Sequence, residues 1–224
     1  MLANYPEGYI DDDELYNIYP QHRKWFSKLY IAEAMRYKCG PAGIAPKEDN
    51  TYVIRPIMNI SGMGAGAEVK EIKAGDCTKV PPGYFWCEYI GGKHYSASYK
   101  FIHATKPYWE PLSCWEGINF PINLTKFVEW KRSDYIPEVP KIFNELCDVP
   151  IINVEFKGNS PIEVHLRDTP NPQYDHLIPT WTSDPDHMIS AKHDHMIANG
   201  YTWIEAYSDG NGFLKDKRTG FWCK

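Results

Sequence analysis

The chain has 224 residues, of which 43% are hydrophobic and 24% are charged, enough for one globular domain or one domain of two lobes. A formal net charge of -5, with no run of Lys or Arg, argues against a dedicated double-stranded nucleic-acid binder, because neutralising phosphates needs concentrated positive charge. The six cysteines form no CxxC pair and no stretch approaches about 18 apolar residues, so we expect a reduced cytoplasm and no zinc knuckle, secretory leader or membrane span.

The first quarter of the chain predicts a helix followed by a strand. Residues 1–20 form an acidic, tyrosine-rich lead-in with little periodicity. HRKWFSKLYIAEAMRYKCG places Trp25, Leu29, Ala32 and Met35 at helical spacing, with Gly40 as a stop signal. TYVIRPI then predicts a short strand that ends at a proline and carries a cation, Arg55.

Glycine-rich and aromatic segments follow. MNISGMGAGAEVKEIKAG predicts a mobile loop because closely spaced glycines raise the entropy cost of a regular element. YFWCEYIGGKHYSASYKFI predicts a strand, a Gly-Gly turn and a second strand. Residues 107–133 show no clear period, and a helix is predicted after Pro140. The tail from 173 to 224 indicates a helix in DPDHMISAKHDHMIANG and strands or turns at YTWIEAY and GFLKDKRTGFWCK.

The stretch INVEFKGNSPIEVHLRDTPNP, residues 152–172, predicts a β-hairpin because two apolar runs alternate in period two around Gly-Asn-Ser-Pro. With 157–161 as the loop, Phe156 faces Ile162 on an apolar side. The other side sets Glu155 against Glu163, and Asn153 against His165.

Like charges directly across a strand pair destabilise it. A divalent cation would turn this repulsion into shared ligation, since Mg²⁺ is usually held by one or two carboxylates and substrate phosphates. The alternative is that Glu155 and Glu163 point to solvent, or that Lys157 and Arg167 neutralise them.

Two upstream segments have features of a nucleotide site. Backbone amides of a glycine-rich loop can hold phosphate oxygens while Arg55 balances their charge, although the pattern is neither a Walker A sequence nor a dinucleotide fingerprint. The apolar strand in PGYFWCEYIGGKHYS could line an adenine pocket. A plain surface loop and a core strand in an ordinary hairpin are the alternatives.

The order of these stretches over about residues 22–175 resembles the ATP-grasp superfamily, in particular a branch, often phage-encoded, in which arginine replaces the phosphate-binding lysines. The resemblance implies an α+β fold of two lobes with antiparallel sheets and a nucleotide cleft between them. The implied divisions are a lead-in at 1–21, an N-lobe at 22–85 and a C-lobe with a C-terminal extension at 86–224.

What the resemblance implies for function is an ATP-dependent carboxylate–amine ligase that forms an amide or peptide bond through an acyl-phosphate. ATP and Mg²⁺ are the implied cofactors. The carboxylate and the amine are unidentified, with a peptide or a macromolecule among the candidates, no membrane is implied, and the location is the cytoplasm, that of the host if a phage encodes the chain.

The resemblance also implies a set of site residues. Arg55 and Arg167 would neutralise charge on the transferred phosphoryl group, and His165 stands where the family has an asparagine. The implied nucleotide-binding residues are Arg23, Lys24, Arg55, Gly62, Gly64, Gly66, Trp86, Cys87, Glu88, Tyr89, Ile90 and His94. The implied metal ligands are Glu155, Glu163, His165 and Asn171.

Other function classes remain open at this point. The chain could be a nucleotide-binding module without catalysis, which the missing lysines would favour. His187, His193 and His195, together with His176, could serve a metal-dependent hydrolase. The aromatic-rich segments could bind single-stranded nucleic acid or a glycan.

Overall fold

The computed structural model describes residues 10–58, 66–120, 124, 126–169, 172–184, 186–205 and 218–224, without the side chains of 186–191. Its helices are α1 (Asp12–Ile18), α2 (Lys28–Ala34) and α3 (Asp186–Ala198), with 3₁₀ helices at Pro20–Phe26 and Lys141–Leu146. Within these ranges, no helix combines the length and the apolarity needed to cross a membrane.

All strand pairs among the described residues are antiparallel and form two sheets. The strands are β1 (Cys39–Pro41), β2 (Asn50–Pro56), β3 (Glu68–Ile72), β4 (Tyr84–Glu88), β5 (His94–Ile102), β6 (Tyr108–Asn119), β7 (Phe127–Arg132), β8 (Ile151–Lys157), β9 (Ser160–His165), β10 (His176–Trp181), β11 (Thr202–Glu205) and β12 (Arg218–Cys223). The small sheet has the order β1-β4-β2-β3 and the large sheet the order β11-β12-β10-β7-β6-β5-β8-β9.

The main core lies where the N-terminal helices cover one face of the large sheet. Trp25 and Ile31 are buried in one cluster with Val154 and Phe156 of β8, and the rings of Trp25 and Phe143 are 4.9 Å apart. Each such side chain contributes about 1.5–3 kcal/mol when fully buried. α2 also contacts the small sheet, where Ala32 is buried in one cluster with Phe85 and Cys87 of β4.

The predicted helix at 22–40 is wrong as a single element. Ser27 is extended (φ -88, ψ 113), and it separates the 3₁₀ helix from α2. Its hydroxyl accepts a hydrogen bond from the amide of Tyr30 at 3.1 Å, so serine acts here as an N-cap. Arg36, at φ 60, follows the end of α2, and Gly40 lies in β1.

Several strands differ from the sequence-based expectation. β4 and β5 belong to different sheets rather than to one hairpin, and the predicted lobe boundary at residue 85 falls inside β4. β3 occupies part of the predicted loop, whose glycine-rich residues 59–65 lie outside the described ranges. Residues 107–133 show no alternation of apolar and polar residues because both faces of β6 are buried, with the adjacent Cys114 and Trp115 in different hydrophobic clusters.

The segment between β9 and β10 crosses the large sheet. β9 is an edge strand, and β8, β5, β6 and β7 lie between it and β10 in the sheet. The indole nitrogen of Trp115 donates to the carbonyl of Tyr174 at 3.0 Å, and Arg132 donates to the carbonyl of Pro172 at 3.1 Å. Trp115 and Glu155 both pair with Ser96 of β5, so their side chains lie on the same face of the large sheet. Because the N-terminal helices pack on the other face, residues 172–174 of the connection lie on the face opposite these helices.

Candidate functional site

The acidic pair predicted from the hairpin is present in β8 and β9. Glu155 lies opposite Glu163, and Asn153 lies opposite His165, which confirms the predicted register at these positions. Phe156 faces Pro161 rather than Ile162, because the register shifts at a bulge after Glu155. Both acids therefore share one face of the large sheet.

Cations from other elements neutralise this pair. The ammonium of Lys28 lies 2.8 Å from Glu163, with only 4% of the lysine side chain and 12% of the glutamate side chain exposed. His94 Nε2 lies 3.2 Å from Glu155. Burial would raise the pKa of Glu155, but the hydrogen bond and charge of His94, with the charges of His165 and Lys28, hold it below its ordinary value. The neutralising partners are thus not Lys157 and Arg167.

Lys28 was not among the predicted site residues. Its backbone amide donates to the carbonyl of Ile57 at 2.8 Å, and Ser27 forms a β-bridge with Met58. The start of α2 is therefore tied to the chain just before residues 59–65. A sequence signal existed, since Lys28 is three residues after Trp25 and four before Ala32, on the apolar face of the predicted helix.

Arg55 connects the two sheets. Its guanidinium donates from Nη2 to the carbonyl of Ile162 in β9, next to Glu163, and lies 5.7 Å from the ring centre of Phe85. Its Nε is buried and has no hydrogen-bond partner among the described residues. Arg55 and Lys28 thus approach the acidic hairpin from the small sheet and from α2.

The structure does not bring Arg23 or Lys24 to this cluster. Arg23 is exposed, lies over the ring of Tyr16 at 4.7 Å and donates to its carbonyl. Lys24 is also exposed and pairs with Glu145. Lys28, four residues further along, takes the place beside Arg55 that was expected for one of them.

The predicted adenine-binding strand presents its side chains in different directions. Trp86 donates to the carbonyl of Ile44 at 2.7 Å and lies in the core on the face opposite Arg55. Cys87 lies on the face of Arg55, and burial raises the pKa of its thiol to about 12, so it stays neutral. Tyr89 is exposed and Ile90 half-buried.

Three further predicted nucleotide-binding residues have separate placements. Glu88 accepts a hydrogen bond from the amide of Lys38 at 2.8 Å. Gly66 adopts φ 77 beside Tyr84, whereas Gly62 and Gly64 lie outside the described residues.

A second buried network extends from His165. His165 Nδ1 lies 2.8 Å from Asp12 Oδ2, and Arg167 contacts both oxygens of Asp12, each at 3.0 Å. Burial would raise the pKa of Asp12, but the charges of His165 and Arg167 lower it to about 2. Burial would lower the pKa of His165, but Asp12 raises it above its ordinary value. Arg167, predicted to meet phosphate or substrate, is thus paired with α1.

The two networks meet at His165, whose Nε2 lies 3.9 Å from Glu163. Among the described residues, no group of three or more His, Cys, Asp or Glu side chains could by itself hold a metal ion. Asn171, the fourth predicted ligand, lies outside the described residues.

The C-terminal histidines do not come together in the part of the chain that the structure describes. His193 packs against Trp222 with ring centres 5.2 Å apart, and His195 lies beside Asn199. His176 contacts Glu129 of β7 and Tyr201 instead, and the side chain of His187 is not described.

The fold is similar to solved structures at low sequence identity. N5-carboxyaminoimidazole synthetase from Staphylococcus aureus, complexed with ADP, matches 96% of this chain and 73% of its own, at 10% identity and a TM-score of 0.55. The ADP complex of N5-carboxyaminoimidazole ribonucleotide synthetase matches 96% of this chain and 73% of its own, at 9% identity and a TM-score of 0.52.

A structure from Archaeoglobus fulgidus described as an ATP-grasp superfamily protein matches 73% of this chain at 13% identity, with a TM-score of 0.38, and this chain spans 60% of its length. No protein-family model and no curated protein matches the sequence. The predicted α+β fold with antiparallel sheets is confirmed, and the chain shares this fold with the two synthetases.

Proposed function

We propose that the chain is an ATP-dependent carboxylate–amine ligase that binds its nucleotide between the small and the large sheet. The proposal is supported by the fold, which it shares with two ADP-bound synthetases over 96% of the chain. The observation that carries it is the convergence of Lys28 and Arg55 on the facing carboxylates Glu155 and Glu163. A triphosphate with its divalent cation needs cations and carboxylates in one place.

The acidic pair suits Mg²⁺ because this ion commonly takes one or two carboxylates and completes its coordination with phosphate oxygens and water. Glu155 and Glu163 would hold the ion, with His165 and Asn171 as further candidates. Mg²⁺ would supply neutralisation of charge on the phosphates. The pair already binds Lys28 and His94, so nucleotide binding would involve an exchange of counter-ions.

Lys28 and Arg55 have the roles of phosphate-binding cations in this proposal. Lys28 would leave Glu163 for a phosphate oxygen, and Arg55 would turn its buried guanidinium from the carbonyl of Ile162 toward the transferred group. Preorganised charges of this kind stabilise the transition state of phosphoryl transfer. The products of the first step would be an acyl-phosphate and ADP, and an amine would then displace phosphate to form the amide.

Closure of the small sheet over the hairpin would exclude water from the acyl-phosphate. Tyr37, just before β1, already donates to the carbonyl of Pro161, and Arg55 of β2 donates to that of Ile162. The glycine-rich loop at residues 61–67 would close over the phosphates in this proposal. Arg167 would become available to a substrate carboxylate only on separation from Asp12.

Nucleotide binding is expected to raise the melting temperature in a Mg²⁺-dependent way. At about 100 times Kd, a ligand stabilises the folded state by about 2.7 kcal/mol, which is about 5–10 °C for a chain of this size. Glu163→Gln should lose most of this ligand-induced shift because a carboxylate for the ion is removed. Differential scanning fluorimetry with and without ATP and Mg²⁺ measures it.

The matched control is Glu145→Gln, which removes the exposed partner of Lys24 and should keep the full shift. Equal shifts in both variants would contradict the role of Glu163. A phosphate-release assay with mixed panels of carboxylic acids and amines then distinguishes a ligase from a module that only binds nucleotide. Nucleotide binding without phosphate release would support the binding module.

A further inference from the structure

A chain of three polar side chains lies on the half of the large sheet away from the hairpin. Glu129 of β7 is 2.9 Å from His176 Nε2 of β10, and the other ring nitrogen, Nδ1, is 2.7 Å from the hydroxyl of Tyr201. Tyr201 directly precedes β11. Three separate segments of the chain therefore supply an acid, an imidazole and a phenol in a row.

The partners fix the direction of the hydrogen bonds. Burial would raise the pKa of Glu129, but the hydrogen bonds from Lys131 and His176 lower it, so the group is ionised and only accepts. His176 Nε2 must then carry the proton that it donates to Glu129. In the neutral imidazole Nδ1 is left with a lone pair, and it accepts the hydrogen bond of Tyr201.

This chain is separate from the acidic hairpin. Lys131 pairs with His176 across β7 and β10 and with Glu116 across β7 and β6, so these side chains share a face. Trp115 lies on the same face as Glu155, and the next residue, Glu116, points to the opposite face. Glu129 and His176 therefore lie on the face opposite the acidic pair of the hairpin. No step proposed above uses Glu129, His176 or Tyr201.

The set is accessible and lies in a positive environment. About a fifth of the His176 and Glu129 side chains is exposed (21% and 20%), and Tyr201 is half-buried. The ammonium of Lys224 lies 5.5 Å from the ring centre of Tyr201, and Lys131 Nζ is 2.7 Å from Glu129. Positive charge near the phenol attracts anionic reactants.

We propose that Tyr201 is the nucleophile of a second site, which accepts an acyl group from an activated, preferably anionic, acyl donor. A carboxylate, an imidazole and a hydroxyl in hydrogen-bond contact form the arrangement that activates a nucleophile in acyl transfer. Tyr201 Oη forms a bond to the acyl carbon, while the bond from that carbon to the leaving oxygen breaks. The phenolic proton passes to His176 Nδ1 and then to the departing oxygen.

Glu129 acts as a positioning residue in this step. It keeps the proton on Nε2 and leaves Nδ1 free to take the phenolic proton. Water, activated by the same imidazole, would release the acyl group from Tyr201 as a carboxylic acid and restore the phenol.

The test is acetylation of the full chain by p-nitrophenyl acetate, followed by peptide mapping and by release of p-nitrophenolate. Tyr89, which is 54% exposed, is the internal control for a tyrosine without this base. We expect Tyr201 to be acetylated at least about tenfold faster than Tyr89, or to turn over with release that Tyr201→Phe abolishes. His176→Phe should bring the rate at Tyr201 down to that of Tyr89 or below.

Two results would overturn the proposal. One is acetylation of Tyr201 no faster than that of Tyr89, together with nitrophenolate release that Tyr201→Phe leaves unchanged. The other is a fast reaction at Tyr201 that persists in His176→Phe, checked for native folding by circular dichroism. Glu129→Gln should slow the reaction and shift its pH–rate profile, which loss of packing alone would not do, and Glu129→Asp should restore part of the rate.

Discussion

Replacement of Lys28 by methionine should lower the free energy of unfolding by about 3–5 kcal/mol. The ammonium is the close counter-charge of Glu163, and both side chains are almost fully buried. Methionine keeps the apolar stem but leaves Glu163 facing Glu155 across the strand pair without this cation. Urea denaturation followed by tryptophan fluorescence measures the loss.

Lys24→Met is the matched control because the pair of Lys24 with Glu145 is exposed, with 45% and 48% of the side chains accessible. Its cost should be at most about 1 kcal/mol. The double variant Lys28→Met/Glu163→Gln should recover much of the loss, since the uncompensated charge is removed. Equal costs for the Lys28 and Lys24 variants would contradict a buried ion pair at the hairpin.

The Lys28 variant also bears on the proposed metal site. With the ammonium gone, Mg²⁺ alone should stabilise Lys28→Met more than the wild type, because the ion no longer competes with the lysine for Glu163. Scanning fluorimetry over a Mg²⁺ series, with Ca²⁺ as a size control, shows the difference. An identical response of both proteins would argue against shared ligation by Glu155 and Glu163.

Replacement of Asp12 by asparagine should cost about 3–5 kcal/mol at neutral pH, because it leaves Arg167 and His165 without their carboxylate in a buried place. The cost should depend on pH. The pKa of Asp12 is lowered from 3.8 to about 2 in the folded state. A depressed carboxylate pKa stabilises the fold above the unfolded value, and this contribution is lost as pH falls through the folded value.

The fall in pKa from 3.8 to about 2 corresponds to about 2.5 kcal/mol at 1.36 kcal/mol for each pH unit. The difference in unfolding free energy between the wild type and Asp12→Asn should therefore shrink between about pH 4 and pH 2. Chemical denaturation at a series of pH values gives the curve. The neighbouring exposed Asp13 supplies the control Asp13→Asn, and a difference that stays constant with pH would rule out the charged pair as its source.

The local pattern of the hairpin was readable from sequence because alternation in period two fixes which residues share a face. Glu155 and Glu163 were placed correctly for this reason. Their counter-ions were not, because Lys28 and His94 come from parts of the chain that only the tertiary fold brings to β8 and β9. Sequence spacing carries no information on which distant cation fills a buried site.

The errors in the N-terminal half have local causes. Helical periodicity in 22–40 was real, but the hydroxyl of Ser27 capped a new helix and interrupted the run. α1 was overlooked in the lead-in, although Asp11 followed by three acidic residues is an N-terminal signal. For β4 and β5, the Gly-Gly pair predicted a reversal within one sheet, whereas the chain there passes between two sheets.

The order in which the chain visits the two sheets limits how the small one can move. α2 packs on both sheets, with Ile31 in the core of the large sheet and Ala32 against Phe85 and Cys87 of β4. The chain enters and leaves the small sheet through two segments, residues 36–38 before it and residues 89–93 after it. Each contains a positive φ, at Arg36 (60) and Gly92 (113), and Glu88 pairs with Lys38 through both backbone and side chain, at 2.8 Å each. Because the end of β2 is also held to α2, through the hydrogen bond of Lys28 to Ile57 and the bridge of Ser27 with Met58, opening of the cleft would have to carry α2 along with the small sheet or break these contacts.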